Sequence, residues 1–197
     1  MIRVALVDDH PAVRAGLHAI LRSEPGFSSI SVPDFDQLTP RDVLAANPTV
    51  AVVDGQLALG TGLGLCFEIS RLEDAPPVIL YSAYVDEELG IAARVAGAAG
   101  ALNKSEPLDE LLDALRVVAA GGSRFASVAP WALRRCADRL EPDDLPFLSM
   151  LAHGTTREET AETLGVTGKE LETRLVPVVS ALEHCLVPGA RAAEAAA

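Results

Sequence analysis

Aromatic side chains are scarce in this chain: five Phe, two Tyr and one Trp, 4% of 197 residues. Because 49% of residues are hydrophobic, a sizeable core is within reach, and it must be aliphatic. Basic residues are also few. Sixteen Lys and Arg stand against 28 Asp and Glu, a net charge of −12. That balance argues against general affinity for nucleic acid, although a local basic surface remains compatible with it. The three cysteines, Cys66, Cys136 and Cys185, show neither CxxC nor Cys/His ligand spacing. Buried free thiols are therefore expected rather than metal or redox chemistry. No apolar run reaches the ~18 residues of a membrane span. The opening MIRVALVDD turns acidic at once and lacks the apolar stretch and cleavage site of a signal peptide. A cytoplasmic protein with no membrane partner is expected.

What the chain does have is strand–helix alternation. Strand-like runs at about 2–7, 28–33, 49–54, 77–82 and 99–103 alternate with helix-like stretches at about 11–23, 36–46, 62–72, 86–97 and 107–120. Apolar runs of this kind read as parallel strands buried on both faces, giving an α/β fold with helices on both sides of the sheet. Pro11 suits the first turn of a helix capped by Asp9 or His10. Parallel order places every strand's carboxyl end on one edge, where open α/β sheets bind ligands. Asp8 and Asp9 close IRVALV, Asp54 closes TVAVV, Ser82 follows VILY and Lys104 follows GALN. Singly, each could be a cap or turn residue. Together, three carboxylates, a hydroxyl and an ammonium at one sheet edge predict a divalent-cation and phosphoryl site.

Residues 1–120 form the α/β unit, 121–139 a connector, and 140–197 an all-helical unit. The connector opens on two glycines, carries Arg124, Arg134, Arg135 and Arg139, and holds a short helix in WALRRCADRL, with Trp131 expected to cover a domain face. Beyond it, Gly154 and Gly165 read as helix stops, and Thr156 and Thr167 as N-caps, Thr156 forming a capping box with Glu159. Helix, glycine turn and second helix make a helix-turn-helix layout. The tail GARAAEAAA is low complexity, a last helix or a frayed end.

VALVDDHPAVRAGL, VVD, VILYSAY and AGAAGALNKSEPLDELLDALRVVAAGG, in that order and at that spacing, resemble the receiver domains of two-component response regulators. With the C-terminal helices, the chain is similar to the NarL/LuxR-type class over nearly its whole length. The resemblance implies a flavodoxin-like sheet of order 2-1-3-4-5. It implies that Asp54 takes a phosphoryl group from a sensor histidine kinase. Mg²⁺ would be held by Asp9, Asp54 and the Gln56 backbone carbonyl, with Asp8 acting through water; Ser82 and Lys104 would bind phosphoryl oxygens. The output would be transcriptional control by a homodimer, with Thr167, Lys169, Glu172, Thr173 and Arg174 facing DNA. No enzymatic turnover beyond slow self-dephosphorylation is implied.

Several positions depart from that family. Ala58 stands where a proline is usual, and Ala101 where an aromatic commonly reports pocket occupancy, leaving Tyr84 as a candidate substitute. Residues 139–197 hold ten Asp/Glu and five Lys/Arg, a balance of −5. Glu172 replaces a usual lysine and Arg174 a frequent histidine. Pro177 inside the recognition helix would cost ~3 kcal/mol if the helix stayed straight, so a kink or an early end is expected. On the helix, Leu171, Leu175, Val178 or Val179, and Leu182 are expected inside; Lys169, Glu172, Thr173, Val176 and Ser180 outside. A second function therefore stands beside the first: a regulator whose degenerate effector unit binds protein. GTGLGLCFEIS lacks the context of a nucleotide loop, since the position after the first strand holds DDHP, and is expected to be a flexible loop beside the acidic pocket. A metal-dependent phosphatase would need the same acidic cluster and multiple turnover.

Overall fold

The computed structural model describes residues 1–32, 38–57 and 60–186. Ala58 and the C-terminal tail lie outside them. Strands β1 (Ile2–Val7), β2 (Phe27–Ser31), β3 (Val50–Asp54), β4 (Val78–Ser82) and β5 (Gly100–Asn103) form one parallel sheet in the order β2-β1-β3-β4-β5. This is the expected topology. Alternate residues of β1 feed two cores: Val4 and Leu6 pack with Leu17, Leu21, Leu111 and Leu115 of α1 (Pro11–Ser23) and α5 (Leu108–Ala119). Ala5 and Val7 join the opposite layer, made by α2 (Pro40–Ala45), α3 (Gly62–Ser70) and α4 (Glu87–Val95).

Local chemistry corrects two expectations. Neither Asp9 nor His10 caps α1 with its side chain; His10 N instead donates to Asp8 Oδ1 at 2.8 Å. Residues 60–70 form no flexible loop, and of the two expectations for them the helix from 62 is the one that holds. Gly60–Thr61 pair antiparallel with Gln56–Leu57, and α3 begins at Gly62 with Thr61 Oγ1 accepting from Gly64 N. The glycine at 62 answers to a close approach, because a Cβ there would lie 1.8 Å from the Asp54 carbonyl oxygen.

The connector extends the sheet. Arg124 N donates to Ala99 O at 2.9 Å and Ala101 N to Arg124 O at 3.1 Å, beside β5. Helix α6 (Pro130–Ala137) docks on α4 through buried Glu88, whose carboxylate meets Arg135 Nε at 2.9 Å and Arg139 NH1 at 2.8 Å. Trp131 stays 44% exposed, so it does not seal a domain face. Cys66 and Cys136 are free and buried, and burial pushes the Cys136 thiol up to about 11, which leaves it unreactive at neutral pH. The Cys185 side chain lies outside the described set.

A 3₁₀ turn (Pro142–Asp144), α7 (Leu145–Ala152), α8 (Arg157–Leu164) and α9 (Gly168–Leu186) follow. Both reciprocal caps form: Thr156 with Glu159, and Thr167 with Glu170, where Thr167 N donates to Glu170 Oε2 at 2.7 Å and Glu170 N to Thr167 Oγ1 at 3.2 Å. Gly165 ends α8 at φ +68°. Pro177 does not end α9, which continues through it to Leu186. Its ring sits on the exposed face, where water can reach the carbonyl it leaves without a donor, while Val178, Val179 and Leu182 anchor the helix beyond it.

The stripe Leu171, Leu175, Val178, Val179 and Leu182 is buried as expected, and it belongs to the same core as Leu63, Cys66 and Phe67 of α3 and Leu89, Ala92 and Val95 of α4. Helix α9 lies antiparallel to α3: Glu172 meets Arg71 just past the end of α3, while the Glu183 carboxylate lies 3.0 Å from where a Cβ on Gly64 would stand. The sequence pattern changes near residues 120 and 140, but the apolar core runs across both. Leu175→Ala is accordingly expected to cost ~2–5 kcal/mol of a total near 5–15 kcal/mol. In denaturant titration, helix and sheet signals should fall together; a separate early helical transition would contradict a shared core.

Candidate functional site

Four carboxyl ends of strands converge on one pocket. Lys104, one residue past β5, places Nζ 2.7 Å from Asp8 Oδ2 and 2.9 Å from Asp54 Oδ2. Asp8 and Asp54 are buried, Asp9 less so. His10, exposed at the rim, brings Nδ1 to 2.8 Å from Asp9 Oδ1 and 3.8 Å from Asp54 Oδ2. Gln56 N donates to Asp54 Oδ1 at 3.3 Å. Ser82 is buried beside Gly55; a Cβ on that glycine would sit 2.7 Å from Ser82 Oγ, so only glycine lets β3 and β4 bring the hydroxyl this close.

Burial pushes the Asp54 carboxyl above its ordinary value, helped by the Asp8 charge and opposed by the Lys104 hydrogen bond and charge and by the Gln56 N–H. Burial works to lower the Lys104 pKa, but hydrogen bonds and charges from Asp8 and Asp54 outweigh it and leave the ammonium's pKa raised. Asp8, Asp9, His10 and Asp54 each offer one ligand atom, all within 4.8 Å of one another. Asp9 Oδ1 is buried and receives no well-aligned hydrogen bond, its close polar neighbour being the His10 ring nitrogen. Three carboxylates converging within that distance suit a hard divalent cation, which takes oxygen ligands and offsets their mutual repulsion. The cluster can hold a metal.

Of the predicted site residues, the structure brings Asp8, Asp9, Asp54, Gln56, Ser82 and Lys104 together. Tyr84 is exposed; Phe125 of the connector lines the groove with Ala101 and Val85, stacked 4.3 Å from the Arg94 guanidinium. In the helix-turn-helix, Thr167, Lys169, Thr173 and Arg174 line one outward groove of about 510 Å³. Glu172 does not share it. It turns inward to Arg71 Nε and Arg157 NH1, each at 3.2 Å. Thr173 Oγ1 donates to Lys169 O of its own helix, and Arg174 NH1 lies 3.5 Å from Asp144 Oδ1. Sequence reasoning missed the inward turn of Glu172, and it missed Asn103, whose amide holds the segment after Ser82. A polar residue closing an otherwise apolar strand just before Lys104 was the available signal.

Residues 4–116 match the response regulator receiver domain family. The transcriptional regulatory protein LiaR of Bacillus subtilis is 28% identical over 93% of this chain and 92% of its own length. The DNA-binding transcriptional activator DevR/DosR of Mycobacterium tuberculosis is 32% identical over 87% of this chain and 84% of its own. Among solved structures, a LuxR-family two-component response regulator from Aurantimonas sp. SI85-9A1 superposes with a TM-score of 0.58 at 25% identity, covering 70% of this chain and 96% of its own. The response regulator ChrA of a heme-sensing two-component system does so at 0.53 and 28% identity over 99% and 96%. The chain belongs to the response regulator family: a transcriptional regulator of two-component signalling, with a receiver domain followed by a LuxR-type C-terminal region.

Proposed function

We propose that Asp54 is the phosphoacceptor. Its carboxylate oxygen attacks the phosphorus of a phosphohistidine on a sensor histidine kinase. An acyl phosphate forms, the P–N bond breaks, and the imidazole leaves and takes a proton. The observation that carries this reading is the contact of Lys104 Nζ with Asp54 at the edge of the acidic cluster. Lys104 would follow the new phosphoryl group as a point charge, and Ser82 would donate its hydroxyl to another oxygen. Asp9, Asp54 and the Gln56 carbonyl would hold Mg²⁺. Asp8 would act through water, which suits a carboxylate whose two oxygens already accept from His10 N and Lys104 Nζ. Bound Mg²⁺ would neutralise charge on the transferring oxygens. The site turns over no substrate; slow self-dephosphorylation is its only reaction with water.

The phosphoryl state would govern transcription by a cytoplasmic homodimer reading DNA through Thr167, Lys169, Thr173 and Arg174. Among the described residues no helix is long and apolar enough to cross a membrane. The inward turn of Glu172 supports DNA binding, because two arginines neutralise that carboxylate before it can repel a phosphate backbone. Glu172 itself would not contact bases. A second reading, an effector surface for protein, draws on the −5 balance of residues 139–197 and on the Arg174–Asp144 pair.

Two measurements test these readings. Acetyl phosphate with Mg²⁺ should add one phosphoryl group that hydroxylamine removes, as an acyl phosphate requires; a hydroxylamine-stable adduct would contradict the assignment. Selection from random DNA followed by salt titration should give a sequence-selective complex weakening steeply with salt. No selection at low salt favours the protein-binding effector.

A further inference from the structure

We propose that Asn103 is a positioning residue for phosphoryl acceptance, setting the Ser82 hydroxyl and the Lys104 ammonium as a pair. This rests on the phosphoacceptor reading of Asp54. Asn103 is the last residue of β5 and stands opposite Ser82 in the β4–β5 register. Lys104 N donates to Ser82 O at 2.9 Å, so the two phosphoryl-binding groups leave adjacent strands at the same level.

The Asn103 side chain holds both exits. Its Nδ2 donates to Ala83 O at 3.2 Å and Val85 O at 3.0 Å, the carbonyls on either side of Tyr84. With those peptides fixed, Tyr84 N donates to Ser82 Oγ at 3.3 Å. A hydroxyl accepting from a fixed N–H keeps its own hydrogen free to donate, as a phosphoryl oxygen carried by Asp54 would require. On the other side, Asn103 Oδ1 accepts from Ser105 N at 2.9 Å and Ser105 Oγ at 2.8 Å, closing the turn that carries Lys104. Asn103 N donates to Glu106 Oε1 at 3.1 Å across the same turn. Donors on one end of the amide and acceptors on the other fix its orientation without ambiguity.

No other side chain of this size does both. Leucine would drop both sets of bonds. Aspartate would keep the Ser105 bonds but aim an oxygen at the Ala83 and Val85 carbonyls. Because a 1 Å misplacement of a reacting group can slow a reaction about 100-fold, Asn103→Leu and Asn103→Asp are each expected to slow phosphoryl uptake from acetyl phosphate about 10- to 100-fold. Asn103 is bonded to none of Asp8, Asp9 or Asp54, so Mg²⁺ affinity by calorimetry should stay within about twofold of wild type. In a Ser82→Ala background, adding Asn103→Asp should slow uptake by less than about twofold, as expected of residues acting through one another.

Wild-type uptake in both variants, Mg²⁺ affinity falling in step with rate, or fully additive losses with Ser82→Ala would each overturn the proposal. Failure of the underlying reading looks different. It would show as uptake surviving in Asp54→Asn, whatever Asn103 does.

Discussion

An Asp54→Asn protein is expected to take up no phosphoryl group from acetyl phosphate and, unmodified and without Mg²⁺, to melt above wild type at neutral pH. The loss of uptake follows from removing the nucleophilic oxygen. The gain in stability follows from the direction of the carboxyl's shift. Burial, the largest influence, raises the Asp54 pKa in the folded chain above the ordinary carboxylate value of 3.8. A group shifted this way contributes its full stabilisation below the unfolded value, and loses it as pH rises through the folded one. At neutral pH the ionised Asp54 is therefore at its least favourable, and asparagine removes the buried charge. Lys104 is not stranded, because Asp8 Oδ2 still accepts from it at 2.7 Å. Melting curves across pH should show the variant's advantage narrowing as pH falls through the folded Asp54 value. A variant melting below wild type at neutral pH, or a pH-independent gap, would contradict this account. Such strain at a reactive carboxylate is what a functional site would carry at the expense of stability.

Glu172→Lys is expected to loosen α9 from the receiver while leaving the sheet intact. Glu172 Oε1 meets Arg157 NH1 and its Oε2 meets Arg71 Nε, each at 3.2 Å. Arg157 also donates to Ala96 O at 3.3 Å and Ser70 O at 3.5 Å, near the ends of α4 and α3. Burial lowers the Arg157 pKa, and the Glu172 charge counters that effect. Lysine would turn two attractions into two repulsions. Unit charges 4 Å apart near a protein surface interact by about 4 kcal/mol, and less where solvent screens them. Arg71 is 42% exposed and contributes the smaller share. A net loss on the order of 3 kcal/mol would speed amide exchange in α9 about 100-fold. Because α9 shares its core with the sheet, amides of β1, β3 and β4 that exchange only by global opening should speed by a similar factor, although the sheet stays folded. Unchanged exchange across 168–186 would mean that the apolar stripe alone holds the helix.

The receiver half was readable because its signals are local or periodic. The apolar runs ending in Asp8, Asp54 and Ser82 are strands in the structure within one or two residues, and parallel order then fixed which ends meet. The glycines at 60–64 left two readings, a helix from 62 and a flexible loop from 60; the helix is what forms, and the reason for Gly62 is its contact with Asp54 across a turn, which no local pattern encodes. Glu172 misled for a related reason. Helical periodicity sorts residues into inside and outside, but a half-buried position at the margin is decided by what packs there, in this case Arg71 and Arg157. The early end expected at Pro177 does not occur, and the proline lies on the exposed face, where water can reach the carbonyl it leaves without a donor. Asn103 went unnoticed because its bonds to Ala83 O and Val85 O run to the main chain of another strand's exit, leaving a polar residue at the end of an apolar strand as the one trace in sequence.

The two bonds between Arg124 and β5 have a consequence for solubility. An outermost strand offers unpaired N–H and C=O groups on which a foreign strand can template, and natural sheets blunt that hazard by covering the rim. Here the connector occupies Ala99 O and Ala101 N, and a charged side chain marks the covering position. The segment that leads out of the receiver thus also shields it from edge-to-edge aggregation.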